Sequence, residues 1–228
     1  MTNKYLSVKS PEIWRQLLAD PQKHWKPGYS AWEAAHTWLA VNGFPPEVKT
    51  LFSTSTFPAL QKAEMLLGIP EFKVLLPPRR RHPSQNDLFI LARDANDNLI
   101  SITIEAKVSE SFGKTIAKWR VPPSNGKSIR YKFLVEKLGL SGKDLKSIRY
   151  QFLHRLASAF IEAERFCAKH AIVIIHSFSS EDIGLDDYKT FLDLFGVKGD
   201  VGQLTYLTTH TDIAYYFGWA KGSLNKSL

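Results

Sequence analysis

Residues 87–108 read DLFILARDANDNLISITIEAKV, and the predicted fold is built around this stretch. Its first seven residues form a short apolar run, the next five are turn-forming residues, and the last ten alternate strictly between apolar and polar side chains. An apolar run and an alternating run that flank a turn are typical of two antiparallel strands. The sequence therefore predicts a β-hairpin over these residues.

The register of the predicted hairpin brings two carboxylates together. If Arg93 closes the turn against Leu99, counting back along both strands places Asp87 directly opposite Glu105. The two Cβ atoms are then expected about 5 Å apart. Alternation puts Lys107 on the same face, while the isoleucines of the second strand take the core side. Two carboxylates and one ammonium group therefore share one patch.

This patch has the chemistry of a metal site. Two neighbouring carboxylates repel each other unless a divalent cation bridges them. Asp87 and Glu105 are therefore candidate ligands of Mg²⁺, which takes one or two carboxylates and keeps water and phosphate oxygens in its other positions, with Mn²⁺ as a substitute. Lys107 is a candidate for orienting metal-bound water or neutralising charge on a phosphate. The competing interpretation is a solvated outer face of an antiparallel sheet.

Positive charge is concentrated in one segment of the chain. The net charge is +8, and residues 114–155 contain eleven Lys or Arg against two acids. A basic stripe that follows an acidic site is typical of a surface that binds a polyanion. The predicted phosphate contacts are Lys114, Lys118, Arg120, Lys127, Arg130, Arg149 and Arg155, with Arg79, Arg80 and Arg81 as a second basic cluster. For the second cluster, a solvated loop is an equally open interpretation.

These residues resemble the PD-(D/E)xK nuclease superfamily, whose members share a restriction-endonuclease-like fold. In that family an acid begins one strand and the pattern acid-any-Lys lies on its antiparallel neighbour, as Asp87 and Glu105-Ala106-Lys107 do here. Asn86 stands where the motif has Pro, at a position that varies in the superfamily. The resemblance covers roughly residues 30–178. It implies that the two acids bind Mg²⁺ and that the Lys assists the water that attacks a phosphodiester.

The resemblance adds Glu33 and Gln151 as catalytic candidates. Superfamily members often carry a further acid on a helix before the sheet, where Glu33 lies. Ser30 and Glu33 also fit a capping box, in which Glu33 binds the amide of the N-cap Ser30, and the sequence leaves both roles open. Family members often place a Gln or a basic residue on the long helix, where Gln151 lies, to touch metal-bound water or phosphate. A solvated helix face is the alternative for Gln151.

Hydrophobic periodicity and capping residues predict the other elements. We expect helices that open at Ser10 and Ser30, further helices over 58–67, 129–138, 148–169 and 186–195, and strands over 71–76, 171–175 and around Leu204 and Tyr215. Cys167 is expected on the apolar face of the long helix, and His176 as a core histidine with its hydrogen bonds satisfied. The order strand, hairpin, long helix, buried strand predicts an α/β fold, a restriction-endonuclease-like mixed β-sheet flanked by helices. We expect one domain over 1–228 with an N-terminal helical segment over about residues 1–70.

Several function classes find no support in the sequence. No stretch is long and apolar enough to span a membrane, and the N-terminal residues lack the layout of a signal peptide. The single cysteine suits a reducing compartment, so a cytoplasmic location is expected. Gly126-Lys127-Ser128 resembles the end of a P-loop, but position 121 is Val rather than Gly and no strand precedes it.

The function predicted from the sequence is a Mg²⁺-dependent nuclease, a hydrolase that cleaves phosphodiester bonds in DNA. A restriction, defence or mobile-element setting follows by analogy with the family alone. The alternative is a catalytically silent nucleic-acid-binding or scaffold protein on the same fold, and a third interpretation is an unrelated α/β protein. DNA is the expected partner ahead of RNA, no membrane contact is expected, and a homodimer or a larger protein complex is left open.

Overall fold

A mixed six-stranded sheet forms the centre of the computed structural model, which describes residues 5–78 and 82–225. The strands are β1 (Glu64–Val74), β2 (Ser84–Arg93), β3 (Leu99–Lys107), β4 (His170–Ser177), β5 (Leu204–His210) and β6 (Ile213–Lys221). Their order across the sheet is β1-β2-β3-β4-β6-β5. The pairs β1–β2, β2–β3 and β5–β6 are antiparallel, while β3–β4 and β4–β6 are parallel.

Helices cover both faces of this sheet. They are α1 (Pro11–Leu17), α2 (Pro21–His24), α3 (Ser30–Ala40), α4 (Pro46–Ser53), α5 (Ile116–Trp119), α6 (Asn125–Lys137), α7 (Tyr150–Arg165) and α8 (Leu185–Asp193), with a 3-10 helix at Pro58–Lys62. One apolar core lies between the sheet and α1, α3 and α4, and a second lies between the sheet and α6, α7 and α8. Adjacent residues of β4 therefore enter opposite cores, as the unbroken apolar run predicted. The prediction of an α/β fold is confirmed.

The predicted hairpin register is confirmed up to its last pair. Arg93 pairs with Leu99, and the ladder continues without a bulge as far as Leu88 and Ile104. The backbone ladder between β2 and β3 ends at Leu88. At the next residue, Asp87, the side chain makes a hydrogen bond to β3. Its Oδ2 accepts a hydrogen bond of 2.7 Å from the backbone N–H of Ala106.

The face of β3 that carries Ser101, Thr103, Glu105 and Lys107 packs against α7 and is buried from solvent. Ser101 Oγ donates to the carbonyl oxygen of Ala159 at 2.7 Å, and Thr103 Oγ1 donates to that of Arg155 at 3.3 Å. Further along the same face, Glu105 is 2% exposed and Lys107 is 6% exposed. A solvated outer face, the competing interpretation of this pattern, is therefore wrong.

Two predicted helix boundaries are wrong because of pairing or packing that periodicity does not register. The helix predicted over 58–67 ends at Lys62, and β1 runs through Gly68, whose backbone N–H and C=O bond to Tyr5 and Ser7 near the N-terminus. The expected N-terminal helical segment thus includes the first half of β1. The long helix ends at Arg165, so Cys167 is exposed and does not lie on its apolar face.

His176 is a core histidine, as expected. It is fully buried, its Nδ1 accepts a hydrogen bond of 3.1 Å from Trp38 Nε1, and its Nε2 lies 2.7 Å from Glu47 Oε1. Over residues 5–78 and 82–225, none of the helices has the length and apolar character that crossing a membrane requires.

The burial of β3 on both faces generates a stability prediction. Ile102 is fully buried, so Ile102→Ala leaves a cavity and is expected to lower the free energy of unfolding by about 2–5 kcal/mol. Ile129 is 42% exposed on α6, and Ile129→Ala is the matched control, with an expected change within about 0.5 kcal/mol. Urea denaturation followed by circular dichroism measures both. Equal effects of the two substitutions would contradict this placement of β3.

Candidate active site

The three residues of the predicted motif meet at one end of the β2–β3 hairpin. Asp87 lies near the start of β2, and Glu105 and Lys107 lie at the end of β3. Lys107 Nζ is 2.7 Å from Glu105 Oε1, and the Asp87 carboxylate is bonded to the backbone between them. The structure therefore brings together the two acids and the ammonium group that the sequence placed on one face.

Glu105 is held by three side chains. Its Oε1 accepts hydrogen bonds from Lys107 Nζ at 2.7 Å and from Gln151 Nε2 at 2.6 Å. Its Oε2 accepts a short hydrogen bond from Arg155 Nε. Gln151 and Arg155 come from the first two turns of α7, which lies across this face of the sheet. Gln151 thus contacts Glu105 directly, and the alternative of a solvated helix face does not describe it.

The two acids of the motif are in opposite electrostatic situations. Burial raises the pKa of Asp87 well above its ordinary value, and the negative charges of Glu105 and Glu71 raise it further. Burial also opposes ionisation of Glu105, but the positive charges of Arg155 and Lys107 outweigh it and hold the pKa of Glu105 below its ordinary value. The two pKa values therefore shift in opposite directions: Glu105 is ionised at neutral pH, and Asp87 holds its proton more tightly than an ordinary aspartic acid does.

Glu71 on β1 is a third acid at this site, and the sequence analysis missed it. It lies between the β1–β2 pairs Pro70–Leu88 and Phe72–Asn86, next to Asp87 on the neighbouring strand. Its Oε2 accepts a hydrogen bond of 2.6 Å from Gln85. Burial raises the pKa of Glu71 to about 7. Only the pairing of β1 with β2 reveals this neighbour, and no local pattern in the sequence signals it.

Arg155 is not the phosphate contact that the sequence predicted. It is 5% exposed, pairs with Glu105, and donates from Nη1 to Ser84 Oγ at 3.2 Å. Ser84 Oγ also lies 2.8 Å from His154 Nδ1. Burial, together with the charge of Arg155, lowers the pKa of His154 well below its ordinary value, so this imidazole is neutral. Arg155 is a buried countercharge because α7 turns it toward the sheet.

Two further predicted phosphate contacts are engaged within the protein. Arg130 is buried and donates to the carbonyl oxygens of Leu76, Pro77 and His82. Arg149 pairs with Asp187 at 2.7 Å. Each guanidinium satisfies groups of its own fold, and the predicted phosphate contacts of both residues stay predictions.

Four of the predicted phosphate contacts remain at the surface. Lys114, Lys118 and Arg120 are exposed, and the half-buried Lys127 donates from Nζ to the carbonyl oxygen of Pro122 at 2.8 Å. The cluster Arg79, Arg80 and Arg81 lies outside the described residues.

Glu33 does not join the acids of the hairpin. Its Oε1 accepts a hydrogen bond from the Gly28 N–H at 2.8 Å, and its Oε2 accepts two from Asn225, at 2.7 and 2.8 Å. The capping box is also wrong, because the N-cap of α3 is Tyr29 and the Ser30 N–H donates to Glu110. Glu33 ties the start of α3 to the end of the chain, and its catalytic role is not supported by any contact among the described residues.

The donor set at the hairpin partly fits a magnesium ion. Carboxylate oxygens are the ligands that Mg²⁺ prefers, and two acids suffice when water and phosphate complete the shell. Oδ1 of Asp87 has no hydrogen bond within the described part of the chain, whereas both oxygens of Glu105 are engaged. Residues 5–78 and 82–225 contain no cluster of three or more His, Cys, Asp or Glu placed for metal binding. A metal at this site would need Glu105 to exchange one of its hydrogen bonds.

The raised pKa of Glu71 predicts how stability depends on pH. A carboxyl group with a higher pKa in the folded state binds more protons when folded, so its contribution to stability is lost as pH rises from the unfolded to the folded pKa. For Glu71 this interval runs from 4.5 to about 7. Asp87 contributes in the same direction. The loss for Glu71 amounts to at most about 3 kcal/mol.

Glu71→Gln removes one of these ionisations. We expect its free energy of unfolding to fall less than that of the wild type between about pH 5 and about pH 7.5. Glu64→Gln, on an exposed residue of the same strand, is the matched control and should keep the wild-type slope. Chemical denaturation across this pH range measures the difference. An unchanged slope in Glu71→Gln would refute a raised pKa.

Comparison with known proteins gives one match. No curated protein and no solved structure matches this chain significantly. A family model described as domain of unknown function DUF6946 matches residues 7–224. The matched region includes every element of the fold and all the residues at the hairpin site. The chain therefore belongs to the DUF6946 family.

Proposed function

We propose that this protein is a Mg²⁺-dependent nuclease that hydrolyses phosphodiester bonds in DNA, with Asp87 and Glu105 as metal ligands. One observation carries the proposal: two acids, a lysine and a glutamine converge at one end of the β2–β3 hairpin. Arg155 and Lys107 keep Glu105 ionised, as a metal ligand must be. Mn²⁺ is expected to substitute for Mg²⁺.

The order of the elements supports a restriction-endonuclease-like fold as part of this proposal. The antiparallel strands β1, β2 and β3 are followed by α7 and by β4, which lies parallel to β3. This is the order of strand, acidic hairpin, long helix and buried strand that the sequence predicted. The acids lie at the end of the hairpin where α7 begins, and Gln151 reaches Glu105 from that helix.

Each residue of the site has a distinct task in the proposed reaction. When bound, Mg²⁺ supplies Lewis-acid activation of water and of the phosphate. Asp87 and Glu105 would hold the ion, Asp87 in its ionised form and Glu105 in place of one of its present hydrogen bonds. Lys107 keeps its charge because the negative charges of Glu105 and Asp87 outweigh the effect of burial and raise its pKa. Its ammonium group orients the attacking water or stabilises charge that develops on the phosphate.

A catalytically silent nucleic-acid-binding protein on the same fold is the second candidate function. One observation favours it: Lys107, Gln151 and Arg155 already occupy both oxygens of Glu105. If these contacts do not open, Glu105 serves as a structural countercharge. Metal-dependent cleavage separates the two candidates.

Asp87→Asn is the sharpest test of catalysis. Burial raises the pKa of Asp87 and so favours its neutral form, and an amide of the same shape can still accept the hydrogen bond from Ala106, so this variant is expected to keep the fold while it removes a metal ligand. We expect Mg²⁺-dependent cleavage of DNA to fall by at least about 10²-fold, with nucleic-acid binding unchanged or tighter. Lys107→Met should also reduce turnover but retain metal binding, since an ammonium group is not a ligand.

Asp97→Asn is the matched control for these variants. Asp97 lies in the turn at the opposite end of the same hairpin, with 83% of its side chain exposed, and this variant should cleave as the wild type does. Purified protein is assayed on single-stranded and duplex DNA and on RNA, with Mg²⁺ and with Mn²⁺. If no substrate is cut with either metal, the nuclease proposal is wrong and the silent candidate replaces it.

The surface cations predict a salt-dependent affinity for nucleic acid. Within residues 5–78 and 82–225, four of the predicted phosphate contacts lie at the surface, namely Lys114, Lys118, Arg120 and Lys127. These four should contribute about −3 to −4 to the log-log slope with which metal-free binding weakens with salt. Lys118→Ala should reduce that slope by about one, whereas Lys189→Ala on α8 should leave it unchanged. Binding that does not depend on salt in a fluorescence titration would count against every nucleic-acid function.

A further inference from the structure

A cleft beside the hairpin site has aromatic and cationic walls. It has a volume of about 570 Å³ and lies where α5 and the first turns of α6 and α7 meet. Trp119, Lys127 and Tyr150 line it, and none of the described residues that line it is acidic. Its size is within the range of about 300–1,000 Å³ that is typical of small-molecule pockets. We call it the aromatic cleft.

The aromatic wall is a stacked pair of rings. The rings of Trp119 and Tyr150 are nearly parallel, with 6° between their planes and 4.1 Å between their centroids, and both residues are half-buried. Flat, partly exposed rings are the platforms on which nucleic-acid bases stack, whatever the base sequence.

Lys127, which also lines the cleft, offers a contact for a phosphate. Lys127 lies in the first turn of α6 and uses one hydrogen bond, to the Pro122 carbonyl oxygen, so its ammonium group has further donors to offer. Gly126 lines the cleft beside it, and with no side chain it leaves the backbone open to close approach. The Gly126-Lys127 pair failed as a P-loop for want of a preceding strand. At the start of a helix Lys127 nevertheless brings a cation to this cleft, while its backbone N–H donates to the N-cap Ser124.

The aromatic cleft and the candidate active site share one helix. Tyr150 directly precedes Gln151, which binds Glu105. The Tyr150 ring also lies 4.8 Å from the ring of His154, whose Nδ1 contacts Ser84 beside Arg155. Tyr150 in the cleft and Gln151 at Glu105 are consecutive residues of α7. A nucleic-acid strand with one phosphate at the acids would therefore have its neighbouring nucleotide beside the cleft.

We propose that the aromatic cleft binds one unpaired nucleotide of the substrate, with the base stacked on the Trp119–Tyr150 pair and a phosphate at Lys127. This inference rests on the proposed nuclease function and names its substrate class: a single strand, or a strand with an unpaired nucleotide beside the cut. Within a duplex both faces of a base are covered by its neighbours, so only an unpaired base offers a face to the rings.

A binding experiment without metal tests this inference independently of cleavage. Fluorescence anisotropy measures the affinity of the full chain, in EDTA, for a labelled oligothymidylate single strand and for a blunt duplex of equal length. The single strand should bind more tightly. Trp119→Leu should weaken single-strand binding at least about 5-fold and leave duplex binding unchanged, and Lys127→Ala should also weaken it.

Matched controls separate the cleft from general loss of aromatic or charged groups. Tyr206→Leu removes a partly exposed ring from β5, at the far edge of the sheet, and Lys132→Ala removes an exposed lysine of α6 outside the cleft. Both should bind as the wild type does. Trp119→Phe keeps a flat ring and should retain most of the affinity, which keeps the test valid if Trp119→Leu does not fold.

Three results would overturn the inference. The wild type could bind the duplex as tightly as the single strand, or Trp119→Leu could bind the single strand as tightly as Tyr206→Leu does. The third is that the wild type binds free thymidine monophosphate but not the oligonucleotide. Failure here differs from failure of the proposed function. If Trp119→Leu cleaves as the wild type does, the proposed nucleotide site is wrong and the nuclease proposal stands. If binding depends on Trp119 but no substrate is cleaved, the nucleotide site stands and the nuclease proposal is wrong.

Discussion

The structure depends on how the buried charge of Glu105 is compensated. An ionised carboxylate under a helix costs several kcal/mol of solvation unless donors and countercharges surround it. Lys107 comes from the same strand, whereas Arg155 and Gln151 come from α7, so the helix must lie across β3 at one position and rotation for all three contacts to form. Loss of Glu105 would leave Lys107 and Arg155 buried without their ion-pair partner, at a cost of about 3–5 kcal/mol.

This compensation also shifts the pKa values of the acids in opposite directions. Arg155 and Lys107 neutralise Glu105, and little positive charge remains for Asp87 and Glu71, whose pKa values burial therefore raises. In the proposed function, a divalent cation would make ionisation of Asp87 favourable. The same geometry explains why the nuclease and the silent candidate are close alternatives, because both oxygens of Glu105 are already held by neighbouring side chains.

α7 connects the acids to the basic side of the molecule. Its first turns supply Tyr150 to the aromatic cleft, Gln151 to Glu105, and Arg155 to the buried charge cluster. A single rigid helix thus fixes the separation between the site proposed for chemistry and the site proposed for the neighbouring nucleotide. Rigid elements hold such groups more accurately than loops do. In the proposed function, the surface lysines would add affinity for nucleic acid through charge, and their positions would require less accuracy.

The hairpin, its register up to Leu88, and the convergence of Asp87, Glu105 and Lys107 could be predicted from the sequence, because strand alternation and turn chemistry are local. The buried strand β4 and the position of Gln151 were also predicted. Tertiary packing was needed to show that the polar face of β3 is buried, that Arg155 and Arg130 stabilise the fold, and that Glu71 joins the acids. These outcomes depend on pairing between distant strands and on the rotation of α7, and residue spacing carries no information about either.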